Sequence, residues 1–155
     1  MLRIICIFSL FYFFTFDVKG QTHPAAFEDL KVLQVKESRP VAILIMTSWC
    51  KYCHAMKNTM LKNKGISQLL SNKFYVVFLN AEEKKDILFA GRRFKHKDGV
   101  HELARELTTI NGKISYPSFC ILNYKNEIIY QKEGFLSPDE MMFVLKKITE
   151  TAIKI

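Results

Sequence analysis

Val41-Ala42-Ile43-Leu44-Ile45-Met46-Thr47-Ser48-Trp49-Cys50-Lys51-Tyr52-Cys53-His54 contains the change of pattern on which the fold turns. Residues 41–46 are a continuous apolar run, and their length and β-branching predict a strand buried on both faces. Thr47 to Cys50 end it. Beyond Lys51 the apolar residues Met56, Met60, Leu61, Ile66, Leu69 and Leu70 follow a helical pattern, with an interruption expected at Lys64-Gly65. Cys50 and Cys53 therefore stand at a strand–helix junction. Three-residue spacing on a helix brings two sulfurs to one face, where they close a disulfide with little backbone movement. Cys50 falls at the helix N-terminus, where unsatisfied N–H groups and the macrodipole stabilise a thiolate. Lys51 adds a positive charge beside it. Cys53, one turn further in, is more shielded and suited to resolve a mixed disulfide formed at Cys50.

Working outward, residues 24–37 have a helical spacing of Ala26, Phe27, Leu30 and Leu33, with Pro24 suited to the first turn. Arg39-Pro40 breaks that helix. Phe74 to Leu79 reads as a second buried strand. Ile87 to Phe94 reads as a strand or short hairpin, followed by a polar loop over Lys95–Gly99. A helix is expected over Val100–Leu107, with Leu103, Ala104 and Leu107 on one face. Ser118–Leu122 and Glu127–Lys132 read as strands joined by the turn residues 123–126. Ser137-Pro138-Asp139-Glu140 carries a cap, a proline for the first helical position and the acid of a capping box. The order is helix, strand, helix, strand, helix, two strands, helix. Long buried strands with helical crossovers imply parallel pairing in the first half, and the second half allows an antiparallel hairpin. The expected fold class is α/β, a small mixed sheet between helical layers.

The chain has 155 residues, enough for one domain with a core that needs no disulfide staples. Hydrophobic residues make up 49% and charged residues 25%, which excludes a disordered chain. The formal net charge is +8, but no basic stripe with interleaved aromatics accompanies it, so the basic residues read as a solvated surface and nucleic acid is not expected as a partner. Arg3, the apolar run Ile4–Phe16 and the polar exit Asp17-Val18-Lys19-Gly20 have the order of a signal peptide cleaved before Gln21. The run is short of the about 20 apolar residues of a membrane span, and an uncleaved N-terminal anchor is the rival reading. A periplasmic or secreted protein follows, with residues 21–155 as one domain. Export would put Cys50, Cys53 and Cys120 where disulfides persist. An odd count of three speaks against a purely structural disulfide framework.

Three other readings apply to the pair. Cys50-x-x-Cys53-His54 is literally the haem c attachment pattern, yet it follows a hydrophobic strand and Trp49 inside an α/β pattern. The thiols and His54 could serve zinc or copper, but a closed zinc site wants four ligands. His23, His96 and His101 supply no second ligand pair at motif spacing. A structural disulfide closing so short a loop would stabilise little. The expectation is a redox-active Cys50–Cys53 disulfide with no metal and no further cofactor. Cys120, inside an expected core strand, reads as a buried apolar thiol.

The stretch resembles the thioredoxin superfamily. Trp49-Cys50-x-x-Cys53 at a strand–helix junction matches it, and so does Tyr116-Pro117 before a later strand. The resemblance covers nearly all of residues 24–150, including Gly134 and the closing helix. It is nearest to exported bacterial thioredoxin-like proteins with a small insertion before the third helix, here Glu82–Gly99. The resemblance implies a thioredoxin-like fold and thiol–disulfide oxidoreductase activity, most readily as a protein-disulfide reductase, with isomerase or oxidase as alternatives. It also implies a cis bond at Pro117 against the sulfurs and a Tyr116 backbone that pairs with an extended substrate. Trp49 would shield the site and contact partners. The implied partners are exported protein thiols or disulfides and an upstream membrane or periplasmic electron donor, with the chain a monomer.

Two departures stand out. Lys51-Tyr52 replaces the Gly-Pro of ordinary thioredoxin, a dipeptide that tunes redox potential. Leu44 stands where that family places a buried acid, leaving His54 as the candidate proton acceptor for Cys53. A thioredoxin-like module that holds metal, haem or apocytochrome thiols without turnover is the competing class of function.

Overall fold

The computed structural model describes residues 22–152 apart from Asn111. The expected signal peptide over residues 1–20 lies outside the described residues. β1 (Val41–Met46) and β2 (Tyr75–Asn80) pair in parallel, with Val41 opposite Tyr75 and Met46 opposite Asn80. Between them run α2 (Lys51–Lys62) and α3 (Lys64–Lys73), which supply the crossover a parallel pair requires. β7 (Ser118–Leu122) pairs antiparallel with β1, and β8 (Ile128–Glu133) antiparallel with β7. The sheet order is β2-β1-β7-β8, the mixed sheet expected.

All six residues of β1 and all five of β7 are buried, because helices cover both faces of the two central strands. Val41, Ile43 and Ile45 pack on one face with Leu103, Ala104 and Leu107 of α4 (Glu102–Thr108). Ala42, Leu44 and Met46 pack on the other with Met56, Met60, Ile66 and Leu70, and with Met141 and Leu145 of α5 (Pro138–Ala152). The capping box forms as read: Ser137 donates from N and Oγ to Glu140 Oε2, 2.8 Å each, and Glu140 N donates back to Ser137 Oγ at 3.3 Å.

Several boundaries differ from the sequence expectation. The first helix is a 3₁₀ turn over Phe27–Asp29 leading into α1 (Leu30–Lys36), so Pro24 lies outside it. The preceding backbone is drawn out because Ala25 N donates to Val76 O at 2.8 Å, partly covering the outer edge of β2. The long second helix breaks at Asn63 rather than at Lys64-Gly65. Asn63 leaves helical geometry at ψ 115° and its carboxamide accepts from Ile66 N, so one residue ends α2 and caps α3.

The insertion is two small hairpins, β3 (Ile87–Phe89) with β4 (Arg92–Phe94) and β5 (His96–Lys97) with β6 (Val100–His101). The polar loop expected over 95–99 is therefore half strand, turning through Asp98 and Gly99 at positive φ. Val100 and His101 belong to the hairpin and not to the helix, because His101 N donates to Ala81 O and its Nδ1 accepts from Leu103 N to cap α4. No described helix is long and apolar enough to cross a membrane.

Candidate active site

The parallel β1 delivers its chain to the C-terminal end of the sheet, where Thr47-Ser48-Trp49 turns it into α2. Cys50 is the N-cap of that helix, in extended geometry, and Cys53 N donates to Cys50 Sγ at 3.2 Å. His54 N donates to Cys50 O, the first bond of the helix proper. Cys50 and Cys53 form a disulfide, their Cα atoms 5.2 Å apart. Cys50 keeps 6% of its surface exposed and Cys53 none. An attacking partner therefore meets Cys50 first.

β7 runs the other way, so its N-terminal end meets the same edge of the sheet. The Tyr116–Pro117 peptide bond just before it is cis, and Pro117 is buried. Pro117 O accepts from Gly134 N at 2.8 Å, which ties this turn to the segment after β8. The Tyr116 side chain packs against both core clusters, and burial raises its phenol above the ordinary range. The β1–β7 and β7–β8 ladders begin at Ser118, so the Tyr116 backbone stands clear of them.

Around the disulfide the side chains are aromatic and basic. Trp49 and Tyr52 are 68% and 69% exposed, and Lys51 and His54 also face solvent. The sequence pointed to none of the long-range partners that hold them. Trp49 Nε1 donates to Glu82 Oε1 at 3.1 Å and Ser48 Oγ to Glu82 Oε2 at 3.4 Å, so the first residue of the insertion anchors the turn before Cys50. Phe135, 41% exposed, leans on Tyr52 with ring centroids 6.0 Å apart. Separations of 33 and 83 residues leave no local spacing that could have revealed either contact.

His54 Nε2 lies 2.8 Å from Ser48 O. A carbonyl only accepts, so Nε2 carries the proton and Nδ1 is the atom left to accept one. Leu44 is fully buried in the same cluster as both cysteines, so the strand before the motif offers Cys53 no carboxylate there. Cys120 is a buried free thiol, and desolvation pushes it up to about 12. Among the described residues no three His, Cys, Asp or Glu side chains gather as a metal site.

A mixed four-stranded sheet, a Cys-x-x-Cys disulfide capping the helix after its central strand, and a cis-proline turn at the same edge define a thioredoxin-fold protein. The chain belongs to the thioredoxin-like domain family, whose model matches residues 26–149. Its structure is similar to that of a thioredoxin-fold protein from Helicobacter pylori, with a TM-score of 0.62 and 15% identity, covering 88% of this chain and 80% of that one. It is also similar to a disulphide isomerase from Xylella fastidiosa Temecula1, at 0.56 and 18% over 82% and 93%. Thioredoxin f from spinach chloroplast superposes at 0.53 and 18% over 83% and 93%. Among curated proteins, Spermatogenesis-associated protein 20 of Mus musculus is 33% identical over 52 residues, which are 34% of this chain and 7% of that protein. This chain thus spans a small part of that relative's length.

Proposed function

We propose that the protein is an exported thiol–disulfide oxidoreductase that reduces disulfides of exported polypeptides. The observation that carries this reading is Cys50 at the N-cap of α2, its sulfur accepting the Cys53 N–H. In the reduced protein that N–H and the helix dipole favour the Cys50 thiolate, the nucleophilic form. The thiolate attacks one sulfur of the substrate disulfide. A mixed disulfide forms at Cys50, and the other substrate sulfur leaves as a thiolate and takes up a proton. Cys53 then gives up its proton and attacks Cys50 Sγ, releasing the second substrate thiol. Two electrons pass to the substrate, and the protein is left with the Cys50–Cys53 bond. An upstream dithiol, at the membrane or in the periplasm, resets it.

The remaining roles belong to the same proposal. Tyr116, clear of the ladder, pairs its backbone with the extended substrate, and Pro117 packs the turn against the sulfurs. Trp49, Lys51 and Tyr52 contact the partner. His54 accepts the Cys53 proton through Nδ1. The disulfide is the redox centre, with no metal or further cofactor, and the chain acts as a monomer after cleavage behind Gly20.

Cys50→Ser is expected to abolish turnover in an insulin-reduction assay, and Cys53→Ser to accumulate mixed disulfides visible on non-reducing gels. Full activity in Cys50→Ser would sink the reading. The direction is tested by the reduction potential of the pair. A value near about −270 mV marks a reductant, and one near about −120 mV would transfer the protein to the oxidases.

A further inference from the structure

Between Ser38 and Ala81 the chain has no aspartate or glutamate, while Arg39, Lys51, Lys57, Lys62, Lys64 and Lys73 all fall within it. The fold gathers the five lysines on α2, which begins at the redox pair, and on α3, which follows it. Lys51, Lys62, Lys64 and Lys73 are exposed, and Lys57 lies over the Phe78 ring at 4.9 Å. The ion pairs among the described residues are elsewhere: Arg39 with Glu37, Arg92 with Glu106, Arg93 with Asp86.

The helix dipole accounts for Lys62 and Lys73, in the last turns of α2 and α3, but not for Lys51 and Lys64 at the opposite ends. α4 opens with Glu102 and α5 with Asp139 and Glu140, as the positive end of a helix dipole favours. α2 and α3 open instead on Lys51 and Lys64 with no acid in the first turn. α1 also lacks an acid in its first turn, but only α2 and α3 place a lysine at the first helical position, and a local preference reversed twice in succession after the redox pair marks a functional surface. Lys51, His54, Asn58 and Lys62 follow one another at intervals of three and four, so they lie in one line along α2, and all four are exposed. That line starts beside Cys50 and ends near Lys64. Trp49, Tyr52 and Phe135 supply exposed aromatic surface at its redox end.

We infer that this face docks an acidic polypeptide, a partner that presents Asp or Glu side chains next to an apolar segment bearing its disulfide. The inference rests on the oxidoreductase reading and names its substrate class. Opposite charge steers the encounter and sets the orientation, and the aromatics supply contact area at the sulfurs. An anionic lipid would satisfy the lysines but has no sulfur to bring to Cys50, so the polypeptide is the occupant that uses the whole surface. The reduced protein gives two electrons and two protons to the partner disulfide, which becomes a dithiol while Cys50 and Cys53 close.

The test follows the reduced full chain by stopped-flow fluorescence of Trp49, the single tryptophan. The substrates are two disulfide-looped peptides with the same apolar core, one flanked by glutamates and one by lysines. Rates are compared at about 0.01 M and about 1 M salt, where the screening lengths are about 30 Å and 3 Å. The acidic peptide should be reduced at least about tenfold faster than the basic one at low salt, and the advantage should vanish at high salt. Lys62→Glu combined with Lys64→Glu, remote from the sulfurs, should remove most of it. Equal low-salt rates for the two peptides overturn the inference, and so does a preference that survives the double charge reversal. Peptides that react alike, together with binding to phosphatidylglycerol vesicles through the same lysines, would make this a lipid surface and end the proposal. Failure to reduce neutral hydroxyethyl disulfide would count against the oxidoreductase reading itself.

Discussion

Two sulfur environments lie in one small domain, one at a helix N-terminus and one inside a strand, and burial separates their chemistry. Cys50 caps a helix and keeps a little open surface, whereas Cys120 in β7 has none, and burial pushes its thiol up to about 12. At neutral pH Cys120 is therefore a thiol packed among Ile43 and Leu122, inert as a nucleophile. After reduction, iodoacetamide at pH 7 is expected to alkylate Cys50 and leave Cys120 unmodified until denaturant is added, as read by peptide mass spectrometry. Labelling of Cys120 in the folded protein would contradict its placement in the core. The Cys-x-x-Cys spacing was plain in the sequence, and so was the apolar setting of Cys120. Glu82 and Phe135 were not, because their contacts with Trp49 and Tyr52 join segments that only the folded sheet brings together.

At the scale of elements, the legible signals were those with short-range physics. The capping box of α5 spans four residues, and the structure forms each of its bonds. Hydrogen bonds from the Ser137 backbone and hydroxyl hold the Glu140 carboxyl below its ordinary value of 4.5. A carboxyl lowered in the folded state contributes stability above its unfolded pKa, and that contribution is lost as pH falls through the lowered one. Ser137→Ala should cost about 1 kcal/mol in urea denaturation at pH 7. Glu140→Gln should flatten the part of the stability profile that falls below about pH 4.5. An unchanged profile in Glu140→Gln would show that the carboxyl does not titrate through this box. The element ends misjudged from sequence were those set from outside. Pro24 is kept out of its expected helix by the bond from Ala25 N to Val76 O of β2, and His101 out of α4 by the bond from its own N to Ala81 O.

For the whole molecule, β1 is the member on which both cores depend. Its alternate residues enter opposite clusters, and Leu44 belongs to the one that holds both cysteines. Leu44→Ala removes a fully buried side chain that helices on one face and strands on both sides confine, so it should cost about 2–5 kcal/mol. Val35, 83% exposed on α1, should tolerate alanine within about 0.5 kcal/mol. Urea midpoints of the two variants at constant m-value check the pair. A small loss in Leu44→Ala would mean that the site collapses more freely than two-sided burial implies. The basic layer over α2 and α3 also belongs to this scale. Along the chain the lysines form no continuous run, and the crossover between two parallel strands places them on one side of the sheet.

Local patterns along the chain specify the apolar strand, the cysteine pair at its end, the capping box and the α/β order, because strand burial, helix period and capping are properties of a few neighbouring residues. Tertiary structure alone decided which residues meet at the disulfide. The parallel β1 and the antiparallel β7 bring Cys50 and Pro117 to one edge from 67 residues apart. Glu82 and Phe135 arrive there through an insertion and a turn whose paths no local pattern specifies. Which strands pair, and in which direction, depends on burying both faces of β1 at once, and that condition is met only by the whole chain.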